Sequence, residues 1–348
     1  MSPVFSYLAA RGNDALQSNP STGADIRLTT NGSSFLWAIF ALVAVFLLGI
    51  MFWTTRVARG ARVWHHLVVI NLTIMTVAYF SMASNLGWTI VRSEFGHYQG
   101  KGLERQVFWV RYVDWILSVI FLILPATLAS PLNLSDTLAT LFWAVLTFTL
   151  RLVGALTPST YKWGFFTMSL FSSWALLAYL FVPIRRGAAS LGGDFARLAT
   201  TFAGVAAFFL GILYPIAWAL AEGGNVISVT SEMVFYAVLD ILYRPVFLLL
   251  FLYQIADIDT HVLKLNAGKY TLDGGEAAFP SSTVHEHNEK ALRMPHFKKV
   301  LPRRGAHDAP ISEPVPVAAA PTATTATTAT TPNPPRLSEA TVHEQASA

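Results

Sequence analysis

Seven long apolar stretches, separated by short polar segments, make up most of the chain before residue 257. Each is close to the roughly 20 residues that an α-helix needs to cross the hydrocarbon core of a bilayer. Because the connecting segments are short, we expect consecutive helices to be antiparallel neighbours. The pattern predicts an all-α membrane protein, a seven-transmembrane-helix bundle with helices over about residues 35–55, 65–88, 107–129, 136–156, 163–184, 198–221 and 232–256.

The two ends of the chain differ from this apolar part. Residues 1–34 are polar, and residues 257–348 include a low-complexity run rich in Pro, Ala and Thr, which predicts a largely disordered tail. Arg56, Arg59 and Arg62 directly follow the first helix, and basic residues favour the cytoplasmic side. We therefore expect an extracellular N-terminus (1–34), a seven-helix domain (35–256) and a cytoplasmic tail (257–348). The link 92–106, expected outside as a hairpin or a short lid, opposes this orientation with three basic residues.

Composition agrees with a membrane protein and narrows the chemistry. Hydrophobic residues are 53% of the chain and charged residues 13%, against about a quarter charged in soluble domains. The absence of cysteine excludes disulfides and cysteine-ligated metals. His65 and His66 are adjacent rather than one helical turn apart, and no Gly-rich phosphate loop follows a strand, so neither a metal site nor an enzyme is expected. The net charge of +4 lies in loops and tail, which favours contact with anionic lipid over nucleic acid.

Ionisable residues interrupt two of the predicted helices. Arg111 and Asp114 are three residues apart in the third helix, and Ser118 extends the same face. Asp240 and Arg244 are four apart in the seventh. Such residues are costly in a membrane and normally face the bundle interior. Two interpretations remain open: a functional ionic site, such as a counter-ion cluster, proton path or ion site, or charges that only neutralise one another and fix helix register.

The motif Arg111-Tyr112-x-Asp114-Trp115 resembles the R-Y-x-D-W segment of microbial (type 1) rhodopsins. In that family the aspartate accepts a proton from the retinal Schiff base and the arginine tunes it. Further matches follow in order through all seven helices. The resemblance implies a second counter-ion aspartate at Asp240 and two outer glutamates, Glu222 and Glu232. It also implies a vestigial retinal pocket, formed by Tyr79, Trp115, Ser118, Tyr214 and Trp218. For Trp115, Tyr214 and Trp218, plain core packing is the favoured alternative.

The chain departs from the family at the position that matters most for light absorption. Four residues after Asp240, where the family has its retinal lysine, this chain has Arg244. A guanidinium stays protonated and does not form a stable Schiff base, so we expect no covalently bound retinal. Positions that carry the cytoplasmic proton donor and three pocket tryptophans in the family are also changed, to Pro125, Thr167, Met168 and Gly211.

Arg244 could restore, without retinal, the positive charge that the Schiff base supplies in the family. The sequence then predicts a buried cluster of Arg111, Asp114, Asp240 and Arg244 with zero net charge.

The pattern Asp-x-x-x-x-Pro-Val-Phe at 240–247 is similar to the seventh helix of fungal opsin-related proteins, including thirty-kilodalton heat-shock proteins. This resemblance implies a non-photoactive, stress-associated regulatory or chaperone-like protein of the plasma membrane. The lipid bilayer, other plasma-membrane proteins and further copies of the chain are its expected partners, and no cofactor is expected. The alternative is a retinal-independent proton or ion conductance, or a photosensory opsin, which rests on the retained charged residues.

Overall fold

The computed structural model describes residues 13–57, 61–95 and 101–263. Seven helices in it are long and apolar enough to cross a membrane, which confirms the predicted bundle. They are α1 (Thr30–Arg56), α2 (Val63–Ala83), α3 (Trp109–Leu128), α4 (Leu134–Leu156), α5 (Lys162–Leu191), α6 (Gly193–Gly223) and α7 (Val229–Ala256). The first of these helices begins at Thr30. The predicted tail lies almost wholly outside the described residues, so the three-part division stays a prediction.

Local side-chain caps fix where several helices begin. The Thr29 side chain accepts a hydrogen bond from the Gly32 amide at the start of α1. Asn133 does the same for Asp136 at the start of α4. These caps satisfy amides that the first turn of a helix leaves unpaired.

Helices α5 and α6 run further than predicted. Residues 185–197 were expected to form a link, but α5 continues to Leu191 through a π-helical turn at Leu180–Ile184 that contains Pro183. Proline has no N–H to donate to the helix, and the wider π-helical turn accommodates this missing hydrogen bond, so the helix continues past Pro183. Two further π-helical turns, Phe209–Leu213 and Ala219–Gly223, carry α6 through Glu222, one residue beyond the predicted end of the sixth helix at residue 221.

A two-stranded antiparallel hairpin, β1 (Thr89–Arg92) and β2 (Glu104–Val107), forms in the link between α2 and α3. The hairpin expected there is therefore confirmed. The segment before α1 adds to it, because the amides of Asp25 and Ile26 both donate to the Glu104 carbonyl. We call this the hairpin end of the bundle; α1, α3, α5 and α7 begin there.

Candidate functional site

Arg244 lies at the centre of a buried ionic site between α3 and α7. Its Nη1 and Nη2 donate to the two oxygens of Asp114, both at 2.7 Å, in a bidentate pair. Nη2 also donates to Asp240 Oδ2 at 3.1 Å, and Nη1 donates to Ser118 Oγ at 3.1 Å. The side chains of Arg244, Asp114 and Asp240 are fully buried. We call these three residues the Arg244 site; it has one positive and two negative charges.

Three aromatic side chains complete the shell of Asp240. The hydroxyl groups of Tyr79 and Tyr214 donate to it at 2.7 and 2.5 Å, and the Trp115 indole N–H donates at 3.2 Å. With Arg244, the carboxylate accepts bonds from α2, α3, α6 and its own helix. Four donors thus satisfy the hydrogen-bonding capacity of this buried carboxylate.

The space beside Asp240 is filled by aromatic rings. Trp115 stacks on Phe148 with ring centroids 4.5 Å apart, and on Tyr243 at 6.1 Å. Tyr243 stacks in turn on Phe209 at 4.8 Å, and the Arg244 guanidinium lies 4.5 Å from the Trp115 ring centroid. Trp115 and Tyr214 therefore both pack in the core and hold Asp240.

Trp218 does not join the other predicted pocket residues. It stacks on Phe166 at 4.8 Å, and its indole N–H donates to the Arg151 carbonyl. It belongs to a separate small core near the hairpin end, with Val91, Val107, Tyr112 and Ala155. The contacts of Trp218 are therefore those of a residue packed in a core.

The predicted four-residue cluster is wrong in one member, because Arg111 has other partners. Within the described ranges, Arg111 pairs with Glu222 and with Glu232, the latter at 2.7 Å, and not with Asp114. Arg111 precedes Asp114 by about one turn, towards the hairpin end, where both glutamates lie. The structure thus divides the expected cluster into two.

Glu222 and Glu232 form the second site, the hairpin-end cluster, with Arg105 and Arg111. Arg105 of β2 donates to Glu232 at 2.7 Å, so Glu232 is shared by two arginines. The Tyr112 hydroxyl donates to Glu222 at 2.6 Å. All four charged side chains are at least 98% buried, and their formal charges balance.

Three buried cations were missed from the sequence: Arg105 of the hairpin-end cluster, Arg151 and Lys162. Arg151 in α4 is 2% exposed, and its closest polar contacts are the Ser173 hydroxyl and the Leu210 carbonyl, both at 3.4 Å. Its position inside the fourth apolar stretch was a signal that could have revealed it. Lys162, also 2% exposed, is the first residue of α5 and lay just outside the predicted helix.

Comparisons with known proteins agree with this architecture. The sequence model of the family described as "Bacteriorhodopsin-like protein" matches residues 30–258. Protein FDD123 of Trametes versicolor is 46% identical over 263 residues, covering 75% of this chain and 90% of that protein. The 30 kDa heat shock protein of Saccharomyces cerevisiae is 34% identical over 259 residues, covering 66% and 74% respectively. The crystal structure of the light-driven proton pump rhodopsin of Coccomyxa subellipsoidea covers 66% of this chain and 98% of its own, with 30% identity and a TM-score of 0.62.

Proposed function

The chain belongs to the bacteriorhodopsin-like protein family, and we propose that it is a member that works without a chromophore, as a stress-associated regulatory or chaperone-like protein of the plasma membrane. One observation carries the first half of this proposal. Arg244, at the position of the family's retinal lysine, is bonded to both aspartates of the buried site.

The side chains around Arg244 do not fit a covalent retinal. A guanidinium remains protonated and does not condense with an aldehyde. Its bidentate pair with Asp114 and its bond to Asp240 also occupy the carboxylates that a Schiff base would need as counter-ions. Phe148 and Tyr243 both stack on Trp115. We therefore propose that Arg244 serves as a permanent internal cation in place of a chromophore.

A permanent cation also argues against pumping. A pump needs a group whose protonation alternates during its cycle. Asp114 is held in a bidentate pair by Arg244. While that pair is intact, we expect the protonation of Asp114 not to alternate. Light-driven transport is thus not the activity that this site supports.

The regulatory half of the proposal rests on relatives. A protein named as a 30 kDa heat shock protein is 34% identical to this chain. Seven apolar helices place this chain in a lipid bilayer. We propose the plasma membrane, with the hairpin end outside and residues 257–348 in the cytosol, where the tail would contact other membrane proteins.

Retinal reconstitution tests the chromophore-free proposal. Purified protein incubated with all-trans retinal should give no red-shifted visible band, whereas the Coccomyxa subellipsoidea rhodopsin treated identically should give one. Arg244→Lys should restore little absorbance, because Thr167, Met168 and Gly211 stand where the family has pocket tryptophans. A wild-type band that hydroxylamine bleaches would overturn the proposal.

Two measurements in cells test the regulatory role. Crosslinking of the full chain in fungal plasma membranes, followed by mass spectrometry, should recover other membrane proteins more strongly after heat stress than before it. A variant lacking residues 264–348 tests whether the tail is needed to recover these proteins. Whole-cell recording should show equal currents in light, in darkness and without the protein; a current that requires the protein would favour the conductance or photosensory alternative instead.

A further inference from the structure

An apolar groove lies between α1 and the second half of α7, on a side of the bundle that faces the bilayer. Its open volume is about 380 Å³, within the range of about 300–1,000 Å³ that is usual for small-molecule sites. It is lined by Leu249 of α7 and, on α1, by Leu42, Phe46, Gly49 and Trp53. At about 1.5 Å per residue, Leu42 and Trp53 are about 16 Å apart along α1, about half of the roughly 30 Å hydrocarbon core. The groove is therefore about as long as one leaflet is thick.

The groove exists because α1 and α7 are in contact mainly near the hairpin end. There the Thr29 amide donates to the Thr230 hydroxyl at 3.1 Å. α1 packs mainly along the first half of α7, Val229–Ile241, and the groove opens beside the second half, Phe247–Ala256. A π-helical turn that contains Pro245 joins the two halves, and helices often bend at such turns. The groove is therefore bounded at the hairpin end by the contact between the two helices.

The groove needs an occupant from the bilayer. α1 is the least buried of the seven helices, and Gly49 presents no side chain to the groove, since an added Cβ there would have nothing within 4 Å. Apolar surface that borders an unfilled space loses the dispersion contacts that a filled space provides. Within the hydrocarbon core there is no water to fill it. Hydrocarbon of a lipid or of another protein chain must therefore occupy the groove.

Two arginines lie beyond the groove, at the end of α1 away from the hairpin. Arg56 is exposed in the last turn of α1, one turn past Trp53 on the same face, and its guanidinium lies 4.7 Å from the Phe52 ring centroid. Arg62 donates from Nε to the Val57 carbonyl at 2.8 Å, which holds it beside the end of α1. Neither arginine forms an ion pair in the part of the chain that the structure describes. Both positive charges are therefore available to a ligand at the mouth of the groove.

We infer that the groove binds one anionic phospholipid, with an acyl chain between α1 and α7 and its phosphate group at Arg56 and Arg62. The acyl chain of one leaflet matches the length of the groove, and an anionic headgroup complements the two unpaired cations. A sterol would fill the apolar part but leave both arginines without an anion. A second copy of the chain would have the same orientation in the membrane, so a symmetric contact through α1 would bring like charges together at Arg56. This inference does not depend on the proposed function.

Native mass spectrometry of the full-length, detergent-purified protein tests this site. Dioleoyl phosphatidylserine and dioleoyl phosphatidylcholine, which share their acyl chains, are added separately over the same concentration range. Phosphatidylserine should form the one-to-one complex at the lower concentration. Arg56→Gln should reduce this preference about fivefold, which corresponds to about 1 kcal/mol for one basic residue near an anionic lipid. Gly49→Leu should lower the occupancy of both lipids without changing their ratio, because leucine fills the groove and leaves the arginines in place.

Two matched variants control for charge and for size. Arg186→Gln removes an exposed arginine at the same end of the bundle, outside the groove. Gly204→Leu adds the same side chain at an exposed glycine of α6, where an added Cβ likewise has nothing within 4 Å. Both should bind the lipids as the wild-type protein does.

Three results would overturn the inference: equal binding of the two lipids by the wild-type protein, an unchanged preference in Arg56→Gln, or equal effects of the two leucine substitutions. A dimer that Gly49→Leu abolishes, with no lipid bound to the wild-type protein, would also overturn it and would assign the groove to a second copy of the chain.

Discussion

Removing the Arg244 side chain is the sharpest test of the buried ionic site. Arg244→Ala deletes both hydrogen bonds to Asp114, one to Asp240 and one to Ser118. The two carboxylates are not affected equally. Asp240 keeps its bonds from Tyr79, Tyr214 and Trp115. Asp114 loses both bonds from its cation and keeps only a hydrogen bond with Ser118. The variant therefore leaves one orphaned carboxylate, at Asp114.

The expected cost follows from that single orphaned charge. Breaking a buried ion pair by removing one partner costs about 3–5 kcal/mol. We expect Arg244→Ala to destabilise the protein by that amount at neutral pH. The loss should shrink as pH falls, because a proton taken up by Asp114 removes the uncompensated charge.

A double-mutant cycle separates the pair from its surroundings. Asp114→Asn should cost less than Arg244→Gln, because Arg244 still pairs with Asp240 after the first change. The double variant should cost less than the sum of the two, with a coupling of about 1–3 kcal/mol. Unfolding of detergent-solubilised protein at pH 5 and pH 7.5 measures all four states.

Additive single effects would show that Arg244 and Asp114 do not interact in solution as they do in this structure. A loss in Arg244→Ala that is equal at both pH values would also contradict the reasoning, since the cost would then come from lost packing rather than from an orphaned charge. Arg244→Lys serves as the conservative control. It keeps the positive charge but not the bidentate geometry, and should recover part of the stability.

Two further substitutions test other parts of the structure by thermal unfolding. Arg111→Gln should cost about 3 kcal/mol at neutral pH, because Glu222 loses its cation while Glu232 keeps its second arginine; unchanged stability would show that the hairpin-end cluster does not depend on Arg111. Gly87→Ala should cost about 1–3 kcal/mol, because Gly87 has φ +71° and an added Cβ would lie 2.6 Å from a neighbouring side chain. Gly49→Ala is its control, since nothing lies within 4 Å of a Cβ there, and an equal loss in both would refute the steric argument.

The helices could be predicted because they depend on spacing along the chain, whereas the Arg244–Asp114 contact was implied by the resemblance to microbial rhodopsins, whose Schiff-base cation lies at the position of Arg244. Apolar length sets the number of spans, and the four-residue interval from Asp240 to Arg244 sets their common face. The partners of Arg111 could not be predicted from spacing. Spacing gives the helix face on which a residue lies but not its depth along the bundle. The depth of Arg111 brings it to the glutamates near the hairpin rather than to Asp114.

Lys162 and Glu222 show where helix-boundary reasoning fails. A lysine at the start of a membrane helix is expected to extend its ammonium to water. Lys162 is buried instead, and the ring centroid of Phe95, in a link whose path the apolar pattern does not specify, lies 6.0 Å from its Nζ. The predicted sixth helix ends one residue before Glu222, because polar residues normally mark the end of a membrane-spanning helix. The π-helical turn at Ala219–Gly223 extends α6 past that point and brings the carboxylate to Arg111.

The exchange of partners between α3 and α7 has a consequence for how the protein is made. Each of these helices carries an arginine and an aspartate three or four residues apart, close enough to pair within one isolated helix. A nascent helix can thus enter the bilayer with its central charges already balanced, at a smaller insertion penalty than two separate ions would incur. In the finished bundle Asp114 has left its own helix's arginine for Arg244, and Arg111 has turned to Glu222 and Glu232. In the finished bundle the charges of α3 therefore join it to both α6 and α7, while Asp240 and Arg244 stay paired within α7.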